Sequence, residues 1–150
     1  MIRIVLDTNV LASGAIAVAG PLAELVDAWR RGDFEVATSP HIAAELERTL
    51  RKPYFAGRLP PPLRDEFLAL VREIATLVPI TFPVPTAVSD RADNLVLATA
   101  ESAGAAYLVT GDGELQRLAR YRTVVILSPS AFRDLLVEEG GDAAPTPGGD

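Results

Sequence analysis

Apolar residues in this chain fall into two alternating arrangements. Short, mostly apolar runs occupy Ile2 to Leu6, Phe34 to Ala37, Leu77 to Thr81, Ala106 to Val109 and Thr123 to Leu127. Their brevity, β-branched content and bounding turn residues predict strands buried on both faces. Between them apolar positions recur every three or four residues. Leu22, Leu25, Val26 and Trp29 form one such stripe, opened by Gly20-Pro21 and stopped at Gly32. Ser39-Pro40 opens a second, with Ile42, Leu46 and Leu50, closed at Lys52-Pro53. Leu63, Phe67, Leu70, Val71 and Ile74 mark a third. A fourth helix is predicted from Asp93 to Ser102 with Gly104 as its left-handed cap, then a short one within "GDGELQRLARY" and a last one after Ser128-Pro129. No stripe is assigned between Leu6 and Gly20. Strands alternating with helices predict an α/β fold, a three-layer α/β/α sandwich around a parallel sheet.

The chain has 150 residues, 49% of them hydrophobic. That is one domain's worth of core. We assign residues 1–138 to the domain and expect 139–150, which begin within "EEGGDAAPTPGGD", to be a disordered tail too poor in apolar residues to order itself. The absence of Cys and the single His, His41, remove thiolate chemistry and most imidazole chemistry. Metal or acid–base chemistry here must use carboxylates. No signal peptide or membrane span is readable, and with no Cys this predicts a cytoplasmic protein. A net charge of −6 argues against broad attraction to a nucleic-acid backbone. Cations bound at a cluster of acids would invert that field locally.

In an open parallel sheet, ligands bind outside the carboxyl ends of the strands, where strand order reverses. Asp7 ends the first strand, and Asp112 follows the fourth in "LVTGDGEL". Asp90 and Asp93 stand at the start of the fourth helix, where negative charge is favoured. Glu45 borders the apolar stripe of its helix and could lean toward the same edge. Singly, each has an ordinary structural role as turn, cap or solvated residue. Together they carry a charge problem: two carboxylates about 4 Å apart repel by about 4 kcal/mol at an effective dielectric near 20. Divalent cations remove that burden, and an all-oxygen donor set favours Mg²⁺ or Mn²⁺ over Zn²⁺.

Four stretches, "VLDTNVLASG", "SPHIAAELERTLRKPYF", "SDRADNLVLATAESAGAAYLVTGDGEL" and "VVILSPSAFRDLL", occur in an order that resembles the PIN-domain ribonuclease family. The likeness is to its branch of toxin components of toxin–antitoxin pairs, the VapC-like proteins, and spans nearly all of residues 2–136. It implies a five-stranded parallel sheet and an acidic quartet of Asp7, Glu45, Asp93 and Asp112 holding one or two Mg²⁺ or Mn²⁺ ions. Thr8, Asn9 and Thr110 would be polar partners of that quartet, with Asp90 and Asn94 beside Asp93. The implied reaction is metal-assisted hydrolysis of RNA phosphodiester bonds. The implied partners are the RNA substrate and a cognate antitoxin, and apolar residues of the first and third helices could form a homodimer.

The chain departs from the family pattern at two places. Arg91 replaces the Pro of Asp-Pro-x-Asp-Asn, which leaves Asp90 open as ligand or cap and favours Asp93 as the ligand. Gly113 follows Asp112 where relatives often carry a charge. Arg30, Arg31, Arg48, Arg51, Lys52 and Arg91 are candidate phosphate contacts. His41 is read as an exposed first-turn residue, and Tyr54 and Phe55 as packing beneath the following loop. Two rival readings stand: a catalytically silent PIN-like scaffold that binds RNA or docks a protein, and a phosphatase-like or receiver-like phosphoryl-transfer domain. The last needs a second Asp two residues after the first, where this chain has Asn9, or an acidic pair with a distant Lys, where the only Lys is Lys52 at a helix end.

Overall fold

The computed structural model describes residues 1–143. In chain order the elements are β1 (Arg3–Leu6), α1 (Thr8–Ile16), α2 (Pro21–Arg30), β2 (Glu35–Thr38), α3 (Pro40–Leu50), α4 (Pro53–Ala56), α5 (Pro61–Ile74), β3 (Thr76–Leu77), α6 (Arg91–Ser102), β4 (Tyr107–Val109), α7 (Gly113–Leu118), β5 (Arg120–Tyr121), β6 (Val124–Leu127) and α8 (Pro129–Ala143). They build one sheet in the order β3-β2-β1-β4-β6-β5, parallel throughout except for the β5–β6 pair. Ile4, Val5 and Leu6 of β1 are almost wholly buried, so the central strand is covered on both faces. Strand order runs one way from β1 to β3 and then reverses to reach β4. With right-handed crossovers, that reversal sets α6 on the opposite face from α1 to α5. The switch point lies between β1 and β4.

The α/β fold with a mainly parallel sheet is therefore as expected, and the details differ for physical reasons. The sheet has six strands, not five. Ala119 ends α7 at φ 66° and ψ −33°, turning Arg120 and Tyr121 back onto β6 as a short antiparallel strand. The sequence reads there as a helix end. Helix α1, unassigned from sequence, buries Val10, Leu11, Ala12 and Gly14, and its polar side is only Asn9 and Ser13, too narrow to set off an apolar stripe. A Cβ at Gly14 would come within 2.9 Å of Val26, which explains a glycine inside a helix that packs against α2. Strand β3 covers only Thr76–Leu77, because its ladder ends with Val78 N donating to Thr38 O at 2.8 Å, where β2 itself stops before α3. Helix α8 continues past Val137 to Ala143, through the first residues expected to be tail, carried by the helix formers Glu138 and Glu139. Residues 144–150 lie outside the described residues. Among the described residues no single helix is long and apolar enough to cross a membrane.

A non-glycine residue at positive φ outside the usual wells costs about 1–3 kcal/mol. Ala119→Gly is therefore expected to stabilise the fold by about 1 kcal/mol, after the entropy that glycine loses on folding. A higher urea midpoint at unchanged slope is the expected result. An unchanged or lower midpoint would show that the turn carries no strain.

Candidate metal centre

The acids of interest sit on the carboxyl edge of the sheet because strand ends and helix starts coincide there. Asp7 follows β1 directly. Its backbone N–H extends the ladder to Val109 (3.0 Å), and its side chain caps α1 by accepting from Thr8 N at 2.7 Å. The acid that interrupts an apolar strand is thus also the residue that starts the next helix. Its other oxygen accepts from the Thr110 hydroxyl at 2.7 Å, and the same hydroxyl accepts from Asp112 N at 3.0 Å. One buried threonine therefore joins Asp7, after β1, to the loop after β4. Gln116 of α7 in turn donates to Thr110 O at 2.8 Å. Asp112 caps α7, with Leu115 N donating to Oδ2 at 2.9 Å.

At the start of α6 the two acids divide their roles. Asp90 is the cap, accepting from Ala92 N at 2.8 Å, and Arg91 takes the first helical position. That position tolerates Pro because its N–H has no partner within the helix, so Arg in its place leaves the helix start intact. Asp93 lies in the first turn and takes no part in the cap. Asn94 is buried and grips Val88 through both its backbone groups, N–H to Oδ1 at 3.1 Å and C=O from Nδ2 at 2.8 Å. It is a loop anchor, not a partner facing the acids.

Electrostatics show which carboxylates face one another. Asp93 is pushed up to about 6, first by burial and then by the charges of Asp7, Asp112, Asp90 and Glu114. Asp7, only 5% exposed, is also raised by burial and by Asp112, against the lowering effect of its bonds to Thr110 and Thr8. His41 also lowers it, so this half-buried first-turn residue of α3 stands closer to the acids than an exposed position would. Sequence spacing offered no sign of that. Nor did it single out Glu114.

Glu45 stands apart. It accepts from Arg48 at 2.9 Å on α3, an i,i+3 ion pair, and it is not among the leading charges acting on Asp93. Among the described residues no three His, Asp or Glu side chains converge on one point as they stand. The donor chemistry still suits a hard divalent cation: Asp7, Asp93 and Asp112 supply only oxygen, and their mutual repulsion is what such a cation relieves. Asn9 is exposed and, with Gly111, lines a shallow cavity of about 110 Å³ between α1 and the loop that follows β4. A larger cavity, about 470 Å³, lies away from the acids against Arg30, Leu59, Leu63 and Phe67. We place the chemistry at the acids, because the larger cavity is lined by none of Asp7, Asp93 and Asp112.

Three of the six candidate cations are engaged in ion pairs. Arg31 pairs with Asp33 (2.9 Å), Arg48 with Glu45 (2.9 Å) and Arg51 with Glu47 (3.6 Å), while Arg91 is exposed beside the acids. Tyr54 is exposed, with the Arg58 guanidinium 3.8 Å from its ring centre, so only Phe55 packs on the core.

A sequence comparison with the curated proteins finds no match. Among solved structures, VapBC2 from Rickettsia felis bound to a DNA fragment from its promoter is similar at TM-score 0.61 and 13% identity, covering 85% of this chain and 98% of that one. PAE2754 from Pyrobaculum aerophilum is similar at TM-score 0.61 and 16% identity, covering 91% and 90%. At these identities the likeness concerns the fold. The family model of the PIN domain matches residues 3–114, from β1 to the first turn of α7, and so takes in Asp7, Glu45, Asp93 and Asp112. The chain belongs to the PIN domain family.

Proposed function

We propose that this PIN domain is a metal-dependent endoribonuclease and the toxin of a toxin–antitoxin pair, with its cation site at Asp7, Asp93 and Asp112. The observation that carries the reading is the mutual electrostatic pressure on Asp93 from Asp7 and Asp112, acids on three different elements at the sheet's switch point. The likeness in fold to the toxin–antitoxin complex VapBC2 supports the toxin role.

Each acid has a definite mounting. Asp7 is fixed by the Thr8 N–H and the Thr110 hydroxyl, and Asp112 by the cap of α7. Asp93 projects from a helix start and is the freest of the three. Glu45 meets Arg48 through one oxygen, Oε1, which leaves the other to join them. When bound, Mg²⁺ or Mn²⁺ would lower the pKa of water and offset charge developing on the phosphate. Arg91, exposed next to Asp90, is placed to contact an RNA phosphate as the strand crosses the edge. An antitoxin of matching chemistry would cover the acids with a basic side chain. Leu63, half-exposed on α5, is a candidate for contact with a second copy of the chain.

The test is cleavage of structured and unstructured RNA in Mg²⁺ or Mn²⁺, with and without excess chelator. Cleavage that needs the metal is expected. Cleavage that survives the chelator would overturn the metal mechanism, and inactivity toward every RNA would favour a silent scaffold.

A further inference from the structure

Glu114 belongs to the acid edge, yet both its carboxylate oxygens are occupied by a residue from another loop. Ser89 N donates to Oε2 at 3.0 Å, and the Ser89 hydroxyl donates to Oε1 at 2.8 Å. Ser89 directly precedes Asp90, the cap of α6, and lies one turn ahead of Asp93; Glu114 lies in the first turn of α7, just past Asp112. The pair therefore ties the loop that leads to Asp93 to the helix that Asp112 starts. The other bonds of these two segments stay local or reach elsewhere: Asn94 holds Val88, Asp90 and Asp112 cap their own helices, and Gln116 reaches Thr110.

We propose that Glu114 is a positioning residue: through Ser89 it sets the separation of Asp93 from Asp112, and with it the affinity of the edge for a divalent cation. This rests on the cation site proposed above. A carboxylate suits the task because one residue offers it an N–H and an O–H side by side, and a charged acceptor makes stronger bonds than a neutral one. Glu114 has both its oxygens held by Ser89. It acts on the cation through where it holds Asp93.

The experiment is calorimetric titration of the full chain with Mn²⁺ alone, well below the melting temperature. Hydrogen exchange at the Ser89 amide is followed before any metal is added. Ser89→Ala, which keeps the charge of Glu114 and loses only the hydroxyl bond, is expected to weaken Mn²⁺ binding about threefold. Glu114→Ala should weaken it about tenfold and speed exchange at Ser89. Glu114→Gln, which keeps the shape, should fall between wild type and Glu114→Ala. The double variant should bind no more weakly than Glu114→Ala alone, because the two residues act as one unit. If Ser89→Ala binds Mn²⁺ like wild type while Glu114→Ala does not, Glu114 works by its charge or as a ligand, and the positioning role is wrong. Losses that multiply in the double variant would overturn it equally. Failure of the underlying cation site looks different: wild type and Asp7→Asn would then take up Mn²⁺ equally poorly, and this inference would fall with it.

Discussion

Asp7→Asn is expected to lower metal-dependent RNA cleavage by about a hundredfold or more, since even groups that merely support metal ligands commonly matter by 10–100-fold. The fold should survive the change. Asn caps helices as well as Asp does, so the bond from Thr8 N that starts α1 is kept. At the other oxygen, the amide would face the Thr110 hydroxyl, which would accept instead of donating and leave its own proton without Asp7. Losing that bond costs about 1–2 kcal/mol. Removing a carboxylate that burial and Asp112 already disfavour acts the other way. The melting temperature without metal should therefore move by no more than a few degrees. The checks are initial cleavage rates in Mn²⁺ alongside circular dichroism melting of the same samples. Near wild-type cleavage would remove Asp7 from the mechanism. A collapse in melting temperature would mean that the Thr110 bond is mainly structural.

The same residue shows how far the sequence could be read. An acid at the end of an apolar strand, a second after another strand and a third at a helix start are positional facts. They follow from strand and helix periodicity, and the switch-point rule places them on one edge. What periodicity cannot supply is rotamer and partner. Glu45 borders the buried stripe of α3 as its spacing implies, yet it turns to Arg48, a choice made by a neighbour on the same helix. Within "SDRAD" the sequence favours Asp93 as the ligand but leaves Asp90 open, and the cap bond to Ala92 is what gives Asp90 its role. Ser89 and Glu114 lie 25 positions apart, and no local pattern announces their contact. Helix α1 was hidden for a different reason: its polar side is only Asn9 and Ser13, too narrow to set off a stripe, and its glycine marks close packing, not a turn.

The second large effect concerns Asp93 and pH. Its carboxyl titrates near 6 in the folded chain against 3.8 for an ordinary Asp, so between those values the folded state holds the proton more tightly than the unfolded one. Stability linked to this group is fully present below the unfolded value and is lost as pH rises through about 6. The metal-free protein should therefore melt at a lower temperature at pH 7.5 than at pH 5. Asp93→Asn should remove most of that slope, and at pH 7.5 it should stabilise the fold by about 1 kcal/mol, a figure already reduced for solvent screening. The residual slope belongs to Asp7, which burial also raises. The helix start is not disturbed, because Asp90 alone makes the cap. A charge in the first turn of α6 gains from the helix amino terminus, but the upward direction at Asp93 shows that burial and the neighbouring acids outweigh it. Saturating Mn²⁺ should reverse the ranking: the wild type gains more than the variant, and its gain shrinks below pH 6 as protons compete for the carboxylates. Melting curves from pH 4.5 to 8, with chelator and with Mn²⁺, decide the matter. A flat or rising melting temperature from pH 5 to 7.5 in chelator, unchanged by Asp93→Asn, would show that these acids do not crowd one another, and the cation site would lose its physical reason.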